Sequence, residues 1–120
     1  MESAVEIVKC DVFPDGKEKF DYIFSNPPYI DTETHDILER SVWDKGNIVL
    51  RRIMKEADQY LKSGGKLFLS WANFADFVFF ENEAVINKWR FKVIAKGGND
   101  PKFNATIDTR MESRIYELWK

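Results

Sequence analysis

Strand-like and helix-like segments alternate along most of this chain, and the alternation restricts its fold more than any other feature of the sequence. Strands separated by helices are typical of a mainly parallel sheet with helices packed on its faces. The sequence therefore predicts an α/β fold. Strands are predicted at 5–13, 20–25, 66–72, 91–97 and 114–120, and helices at 31–38, at 46–65 and from Asn73 to about Trp89.

Two segments carry the strongest signals. KLFLSWA at 66–72 is a nearly continuous apolar run, as expected of a strand that is covered on both faces. The segment 46–65 places apolar residues at helical spacing, and Ser63-Gly64-Gly65 is predicted to end this helix. Because no helix separates the last two strands, we expect them to pair antiparallel, with the polar residues 98–113 between them as an exposed loop.

Composition limits the classes of function. The chain has 120 residues, enough for one domain at most, and its formal net charge is −2. The net charge of the chain therefore favours binding neither to nucleic acid nor to anionic lipid. The single cysteine, Cys10, excludes an internal disulfide framework and fits a reducing cytosol. No apolar run approaches the length of a membrane span, and the acidic start is unlike a signal peptide, so we expect a cytoplasmic protein without a membrane partner.

The segment FDYIFSNPPYI, residues 20–30, ends its predicted strand in an Asn-Pro-Pro-Tyr loop. Ligands bind outside the carboxyl ends of strands in open α/β sheets, and this loop follows such an end. Pro27 and Pro28 fix their own backbone torsions and restrict the residues before them, so the loop is stiff before any ligand arrives. Such a loop can aim the Asn26 amide oxygen and the Pro27 carbonyl oxygen at one NH₂ group. Tyr29 then offers a flat face on which a planar partner can stack.

A planar group that carries an NH₂ is an amide or the exocyclic amine of a base. Its nitrogen is a weak nucleophile because its lone pair is delocalised. Accepting both N–H bonds orients that nitrogen and stabilises the positive charge that grows as it attacks an electrophile. A lone Pro-Pro pair more often only ends a strand. All four residues in this order arise by chance in roughly one chain in a thousand of this length, and their position after a strand favours the functional interpretation.

The segment Ser25-Asn26-Pro27-Pro28-Tyr29-Ile30 resembles the (D/N/S)PP(Y/F) motif of class I S-adenosylmethionine-dependent amino-methyltransferases. It is most similar to the motif of the HemK-type enzymes, which methylate a glutamine side chain of translation release factors. Related motifs occur in adenine-N6 DNA methyltransferases and guanine-N2 ribosomal RNA methyltransferases. The resemblance continues through residues 43–67, and Cys10-Asp11-Val12-Phe13 resembles the end of the third strand in that fold.

This resemblance implies a Rossmann-like fold, S-adenosylmethionine as the cofactor and no metal. It also implies that the substrate is a protein such as a release factor, methylated on a glutamine amide. The alternatives are a nucleic acid methylated at adenine N6 or guanine N2, and a non-catalytic α/β module whose loop is a contact surface. The implied catalytic residues are Asn26, Pro27 and Tyr29, the substrate-binding residues are Pro28 and Tyr29, and the cofactor-binding residues are Asp11, Val12 and Asn26.

Several of these side chains also have a purely structural interpretation. Asp11, without the resemblance, is better explained as a turn residue. Trp43 and Trp71 either line a pocket or, as is commoner for aromatic residues of a small domain, pack in the core. Four apolar residues are expected to form the buried face of the helix after Asn73: Phe74, Phe77, Val78 and Phe80.

The glycine-rich loop that opens the cofactor site of this family has no counterpart here, because neither Gly64-Gly65 nor Gly97-Gly98 opens a helix after an early strand. We therefore expect 1–120 to be a single partial methyltransferase domain, from the third strand onward, that lacks the glycine-rich N-terminal half and is inactive alone. The family's sheet order is 3-2-1-4-5-7-6, so an open edge is expected beside 20–25, and such edges favour self-association. Residues 5–8 would then dock against 20–25, reach another molecule or fray.

Overall fold

The computed structural model describes residues 5–16, 18–28, 45–98 and 112–120. The predicted helix at 31–38, Tyr29, Trp43 and most of the predicted loop at 98–113 lie outside these residues. The strands are β1 (Phe20–Ser25), β2 (Leu61–Ala72), β3 (Arg90–Gly98) and β4 (Glu112–Trp119). The helices are α1 (Ile48–Glu56) and α2 (Phe77–Ile86), with short 3-10 turns at Lys45–Asn47, Ala57–Tyr60 and Asn73–Ala75.

The four strands form one sheet in the order β1-β2-β4-β3. β1 and β2 are parallel, with Ile23 beside Leu67, and β4 is antiparallel to both β2 and β3. Three of the four strands therefore point the same way, and β4 opposes them. The predicted α/β fold with an antiparallel C-terminal strand pair is confirmed. The observed order is the 4-5-7-6 part of the sheet that the resemblance implied.

Both helices pack on one face of the sheet, where they form the core. Alternate residues of the inner strands reach this face, and the side chains of Leu67, Trp71 and Tyr116 have no exposed surface. The indole Nε1 of Trp89, just after α2, donates a hydrogen bond to the main-chain oxygen of Met54 at 2.7 Å and so links α2 to α1. Trp71 is thus a core residue rather than a pocket residue. Core residues from α1 and α2 are Leu50, Ile53, Met54, Phe80 and Ala84.

The opposite face of the sheet, which we call the outer face, carries an aromatic cluster near β1. Phe24 and Phe68 stack with ring centroids 4.8 Å apart, and Tyr22 lies 6.2 Å from Phe68. The exposed fractions of Tyr22 and Phe24 are 60% and 73%. Within the described ranges, α1 and α2 pack on the core side, so neither helix covers these rings.

A charged group follows the aromatic cluster along the outer face. Glu117 of β4 pairs with Lys66 of β2 at 3.0 Å and with Lys92 of β3 at 3.1 Å. Hydrogen bonds from Lys66 and then from Lys92 hold the pKa of the Glu117 carboxyl below its ordinary value. This triad therefore links the three adjacent strands by charge as well as by main-chain hydrogen bonds.

The helix predicted over 46–65 is shorter than expected. α1 ends at Glu56, and β2 already begins at Leu61. The register between β1 and β2 shifts just after Leu61, where Gly64 adopts a φ of +79°. The apolar spacing was misleading because Ala57 and Leu61 are buried in the core although neither lies in the α-helix.

The strand predicted over 5–13 is wrong. Residues 5–10 are exposed and belong to no strand, and the one isolated bridge nearby joins Asp11 to Phe13 within a turn. β1 pairs only with β2 among the described strands, so residues 5–10 do not pair with 20–25 as a strand. An alternating apolar pattern produces a strand only where a neighbouring strand satisfies the backbone groups.

The predicted start of the second helix is also wrong. Asp76, rather than Asn73, caps α2: its side chain accepts hydrogen bonds from the main-chain N–H of Val78 at 2.9 Å and of Phe79 at 3.3 Å. The Asn73 side chain instead accepts a hydrogen bond from the N–H of Glu112, 39 residues away, at 3.1 Å.

The buried face predicted for this helix is only partly observed. Phe80 is fully buried and Phe77 half-buried, but Val78 is 64% exposed. The prediction is confirmed for Phe80 and wrong for Val78, while the side chain of Phe74 lies outside the described part of the structure.

Candidate active site

Asn26, Pro27 and Pro28 directly follow the carboxyl end of β1, as the sequence predicted. Asn26 is exposed, Pro27 is buried and Pro28 is half-buried. The buried ring anchors the loop to the domain, while the amide side chain before it remains accessible. The loop thus presents a polar group on a fixed base at the edge of the sheet where α/β proteins bind ligands.

Among the described residues, the Asn26 side chain has one defined hydrogen-bond partner. Its Oδ1 accepts a hydrogen bond from the Ser70 hydroxyl at 2.5 Å. Ser70 lies near the end of β2, the strand that pairs with β1. An amide oxygen has two lone pairs, so the bond from Ser70 leaves capacity for a second donor.

Two cavities meet at Asn26. The larger, which we call the edge cavity, has a volume of about 490 Å³. It lies along the side of β1 that has no partner strand among the described residues. The smaller, which we call the outer-face cavity, has a volume of about 300 Å³. The edge cavity is lined by Val12, Phe13, Ile23, Asn26, Pro27 and Pro28 among others, and the outer-face cavity by Phe24, Asn26, Phe68, Ser70 and Ile115.

The structure brings Val12 to the same cavity as the proline loop, but it places Asp11 differently. Asp11 begins a tight turn in which its main-chain oxygen accepts a hydrogen bond from the N–H of Phe13 at 2.8 Å, and Val12 has a φ of 68°. Asp11 lines a neighbouring cavity instead. This geometry fits the interpretation of Asp11 as a turn residue, and its side chain is still 90% exposed.

Arg52 of α1 holds this turn against the domain. Its guanidinium pairs with the Asp11 carboxylate at 2.9 Å and with Glu56 at 3.0 Å. Hydrogen bonds to Glu56 and Asp11 raise the pKa of the Arg52 guanidinium, so the group stays cationic. Arg52 falls within the resemblance at 43–67, but nothing in the sequence linked it to Asp11.

Sequence reasoning also missed Ser70. Nothing in KLFLSWA marks this serine as functional, because a polar residue that alternates with apolar ones is ordinary in a strand. Only the register of β1 against β2, in which Ser25 lies beside Leu69, brings Ser70 next to Asn26. A pairing prediction for the two strands would have been needed to find it.

In the part of the chain that the structure covers, no group of three or more His, Cys, Asp or Glu side chains is arranged to hold a metal ion. None of the helices found there is both long enough and apolar enough to cross a membrane.

Comparisons with known proteins give the same family as the sequence resemblance. The family model of the methyltransferase small domain matches residues 1–95. Over 72 residues the chain is 36% identical to the release factor glutamine methyltransferase of Streptococcus pneumoniae, covering 51% of this chain and 26% of that protein. Over 84 residues it is 31% identical to the ribosomal protein uL3 glutamine methyltransferase of Francisella tularensis, covering 61% of this chain and 27% of that protein.

A third relative modifies RNA. The ribosomal RNA small subunit methyltransferase C of Cronobacter sakazakii is 33% identical over 94 residues, which are 73% of this chain and 25% of that protein. The chain thus spans about a quarter of the length of the curated relatives it matches. With a family match over residues 1–95 and the sheet order expected for such a domain, the chain belongs to the methyltransferase small domain family.

Proposed function

We propose that this chain provides the catalytic loop of an S-adenosylmethionine-dependent N-methyltransferase that methylates a planar NH₂ nitrogen, and that its target is a glutamine side-chain amide of a protein. The observation that carries this proposal is the position of Asn26. Its amide lies at the carboxyl end of β1, is accessible, and separates two cavities. That arrangement suits a residue that holds the nitrogen that receives the methyl group next to a bound methyl donor.

The proposed roles of the loop follow from its hydrogen-bonding capacity. The free lone pair of the Asn26 oxygen and the carbonyl oxygen of Pro27 accept the two N–H groups of the target. When both N–H groups are bound, the nitrogen lone pair points toward the methyl donor. The two acceptors also stabilise the positive charge that develops on the nitrogen. Tyr29, which lies outside the described residues, is proposed to stack on the plane of the target amide.

The edge cavity has the lining expected of one flank of a nucleoside cofactor. Val12 and the two prolines supply apolar surface, and Asn26 supplies a polar group at one end. The Asp11 carboxylate, next to Val12, lines the neighbouring cavity and pairs with Arg52 at 2.9 Å. Because this side chain is 90% exposed, it keeps free lone pairs, and it is the proposed acceptor for an adenine amine. When bound, S-adenosylmethionine supplies an electrophilic methyl group.

We further propose that catalysis needs a glycine-rich cofactor-binding segment in addition to residues 1–120, which form a single partial domain. The sequence contains no glycine-rich run that opens a helix after a strand. The side of β1 that faces away from β2 and the exposed ring of Tyr22 are surfaces that such a segment would cover.

The choice of a protein target is supported by two relatives named as glutamine methyltransferases and by the net charge of −2. A large nucleic acid usually requires a basic surface. The second candidate is a nucleic-acid amine, because a relative named as a ribosomal RNA methyltransferase aligns over 73% of the chain. The third, a non-catalytic module that uses the loop for contacts, predicts that no methyl transfer occurs.

The proposal is tested by reconstitution. The chain is mixed with, or fused to, the glycine-loop half of a glutamine methyltransferase and supplied with labelled S-adenosylmethionine and either a glutamine-containing peptide or an RNA hairpin. We expect label in the peptide and a loss of at least about 100-fold in rate for Asn26→Ala, as for removal of an oriented transition-state partner. Asn82→Ala, at an exposed position on α2, is the matched control and should be fully active.

Three results would contradict parts of the proposal. Label in the RNA alone would favour the second candidate. Equal methylation rates for Asn26→Ala and the control would show that the loop residue Asn26 does not contribute to catalysis. Tight binding of S-adenosylmethionine by the unassisted chain would show that no glycine-rich segment is needed.

A further inference from the structure

We propose that Ser70 is the positioning residue of Asn26: its hydroxyl fixes the amide plane so that the oxygen of Asn26, and not the nitrogen, stands beside the outer-face cavity. What Asn26 does for the reaction rests on the proposed function. The Ser70–Asn26 hydrogen bond does not, and it can be tested separately.

The two partners differ in how firmly the fold holds them. Ser70 is half-buried on β2, an inner strand that pairs with β1 on one side and with β4 on the other. Its direct neighbour on β4 is Ile115. Asn26 follows the end of β1 and is exposed, so its side chain lacks the packing that normally selects one rotamer. The fold therefore holds the Ser70 hydroxyl in place, and the Asn26 amide beside it depends on a hydrogen bond to keep one orientation.

The restraint matters because the two ends of an amide have opposite hydrogen-bonding character. The oxygen accepts hydrogen bonds and the NH₂ group donates them. If the amide turned by half a revolution, it would present donors to the NH₂ of the target, and the two groups would repel. The Ser70 hydroxyl donates to Oδ1 at 2.5 Å. A hydroxyl can also accept a hydrogen bond, but 2.5 Å lies within the range of O–H···O bonds and below that of N–H···O bonds, so the contact fits the amide oxygen better than its NH₂ group.

The location of the bond adds a second argument. Ser70 and Asn26 together form the polar end of the outer-face cavity, whose other walls are the rings of Phe24 and Phe68 and the side chain of Ile115. Asn26 also lines the edge cavity. The bond therefore fixes the group that separates the two cavities. Loosening it changes the orientation of Asn26 without removing a wall of the edge cavity, because Ser70 does not line that cavity.

The test measures the Asn26 side chain directly. In the full chain labelled with ¹⁵N, the side-chain NH₂ signals of Asn26 are assigned by their loss in Asn26→Ala, and their order parameter is measured by relaxation. We expect an ordered amide in the wild type and in Ser70→Thr, which keeps the hydroxyl. We expect a mobile amide in Ser70→Ala. Ser63→Ala, at an exposed position of the same strand, is the control and should leave the Asn26 signals unchanged.

Activity in the reconstituted enzyme gives the second measurement. Ser70→Ala should lower kcat by about 3- to 10-fold, as expected for one lost hydrogen bond of ordinary net strength, while KM for the target stays within about twofold. Ser70→Thr should restore most of kcat. A purely structural role of Ser70 predicts a lower melting temperature with unchanged kcat below it.

Equal order of the Asn26 amide in the wild type and in Ser70→Ala overturns the inference, whatever the activity. An ordered amide that loosens in Ser70→Ala supports it even if no methyl transfer is found, in which case only the proposed function fails. An unchanged kcat in an active Ser70→Ala enzyme also overturns it.

Discussion

Gly65 of β2 lies so close to Asp21 of β1 that a Cβ atom built on Gly65 would be 3.0 Å from the main-chain oxygen of Asp21. The same atom would be 2.9 Å from the main-chain oxygen of Lys62. Both neighbours are backbone atoms, which cannot rotate away as the end of a side chain can. Glycine is therefore required at this position by the close approach of two strands at the start of their pairing.

We predict that Gly65→Ala destabilises the domain by about 1–3 kcal/mol, the usual cost of forcing extra atoms into a packed site. The measurement is the urea midpoint of unfolding. Gly97→Ala is the matched control, because its Cβ would meet only the Ser113 hydroxyl, at 3.1 Å, and a side chain can shift. Equal midpoints for the two variants would show that the pairing at Asp21 can relax.

A second prediction concerns the cap of α2. Asp76→Ala removes the acceptor for the N–H groups of Val78 and Phe79 and should cost about 0.5–2 kcal/mol. Asp76→Asn keeps an oxygen acceptor and tolerates the φ of 70° at this position, so it should cost clearly less. Thermal unfolding followed by circular dichroism compares the two variants, and similar losses for both would argue against the cap.

A third prediction concerns pH. Because Lys66 and Lys92 lower the pKa of Glu117 in the folded state, the unfolded chain takes up a proton at this residue more readily than the folded one. The stability from the triad should therefore be complete above the ordinary value of 4.5 and be lost as the pH falls from there through the lower folded value. Urea midpoints measured between about pH 7 and pH 3 should show this loss.

In Glu117→Gln the stability lost at low pH should be smaller than in the wild type, because the carboxyl group that titrates has been removed. Glu83→Gln, on α2 and outside the triad, serves as the control and should keep the full pH dependence. The same slope in both variants would show that the triad does not report on folding.

The fourth prediction is self-association through the unpaired side of β1 and the aromatic cluster of the outer face. Light scattering after size exclusion should give a mass that rises with concentration. Phe24→Lys should reduce this rise, whereas Val78→Lys, at an exposed apolar position on α2, should not. A monomer at all concentrations, with fast amide exchange at 5–10, would mean that these residues fray and that the edge stays unpaired.

Much of the fold could be predicted from the sequence because its signals are local. β1 was predicted with the bounds observed, since FDYIFS is rich in strand formers and the prolines end it. What failed depends on partners that lie far away in sequence. Residues 5–10 have the pattern of a strand but lack a partner strand among the described residues. Asn73 is by residue type as good a helix cap as Asp76, but its side chain accepts a hydrogen bond from Glu112 instead.

The candidate site divides in the same way. Asn26 and Pro27 were predicted at the end of a strand, and they are found there. This position could be predicted because the strand and the loop residues are consecutive in the sequence. Ser70 comes from another strand and became visible only with the register. Asp11 was assigned by resemblance alone, and its contact to Arg52 joins residues 41 positions apart.

The insertion of β4 between β2 and β3 sets the order in which the sheet can assemble. β3 follows β2 in the chain, yet its strand neighbour in the described structure is β4. β4 also pairs with β2, and contacts between these two strands, such as that of Lys66 with Glu117, close a loop of 51 residues. Closures over such distances slow folding. Gly98 of β3 pairs with Glu112 of β4 only 14 positions away, whereas Ile23 of β1 pairs with Leu67 of β2 over 44 positions. We infer that β3 and β4 pair first and that this pair then joins β2 through β4.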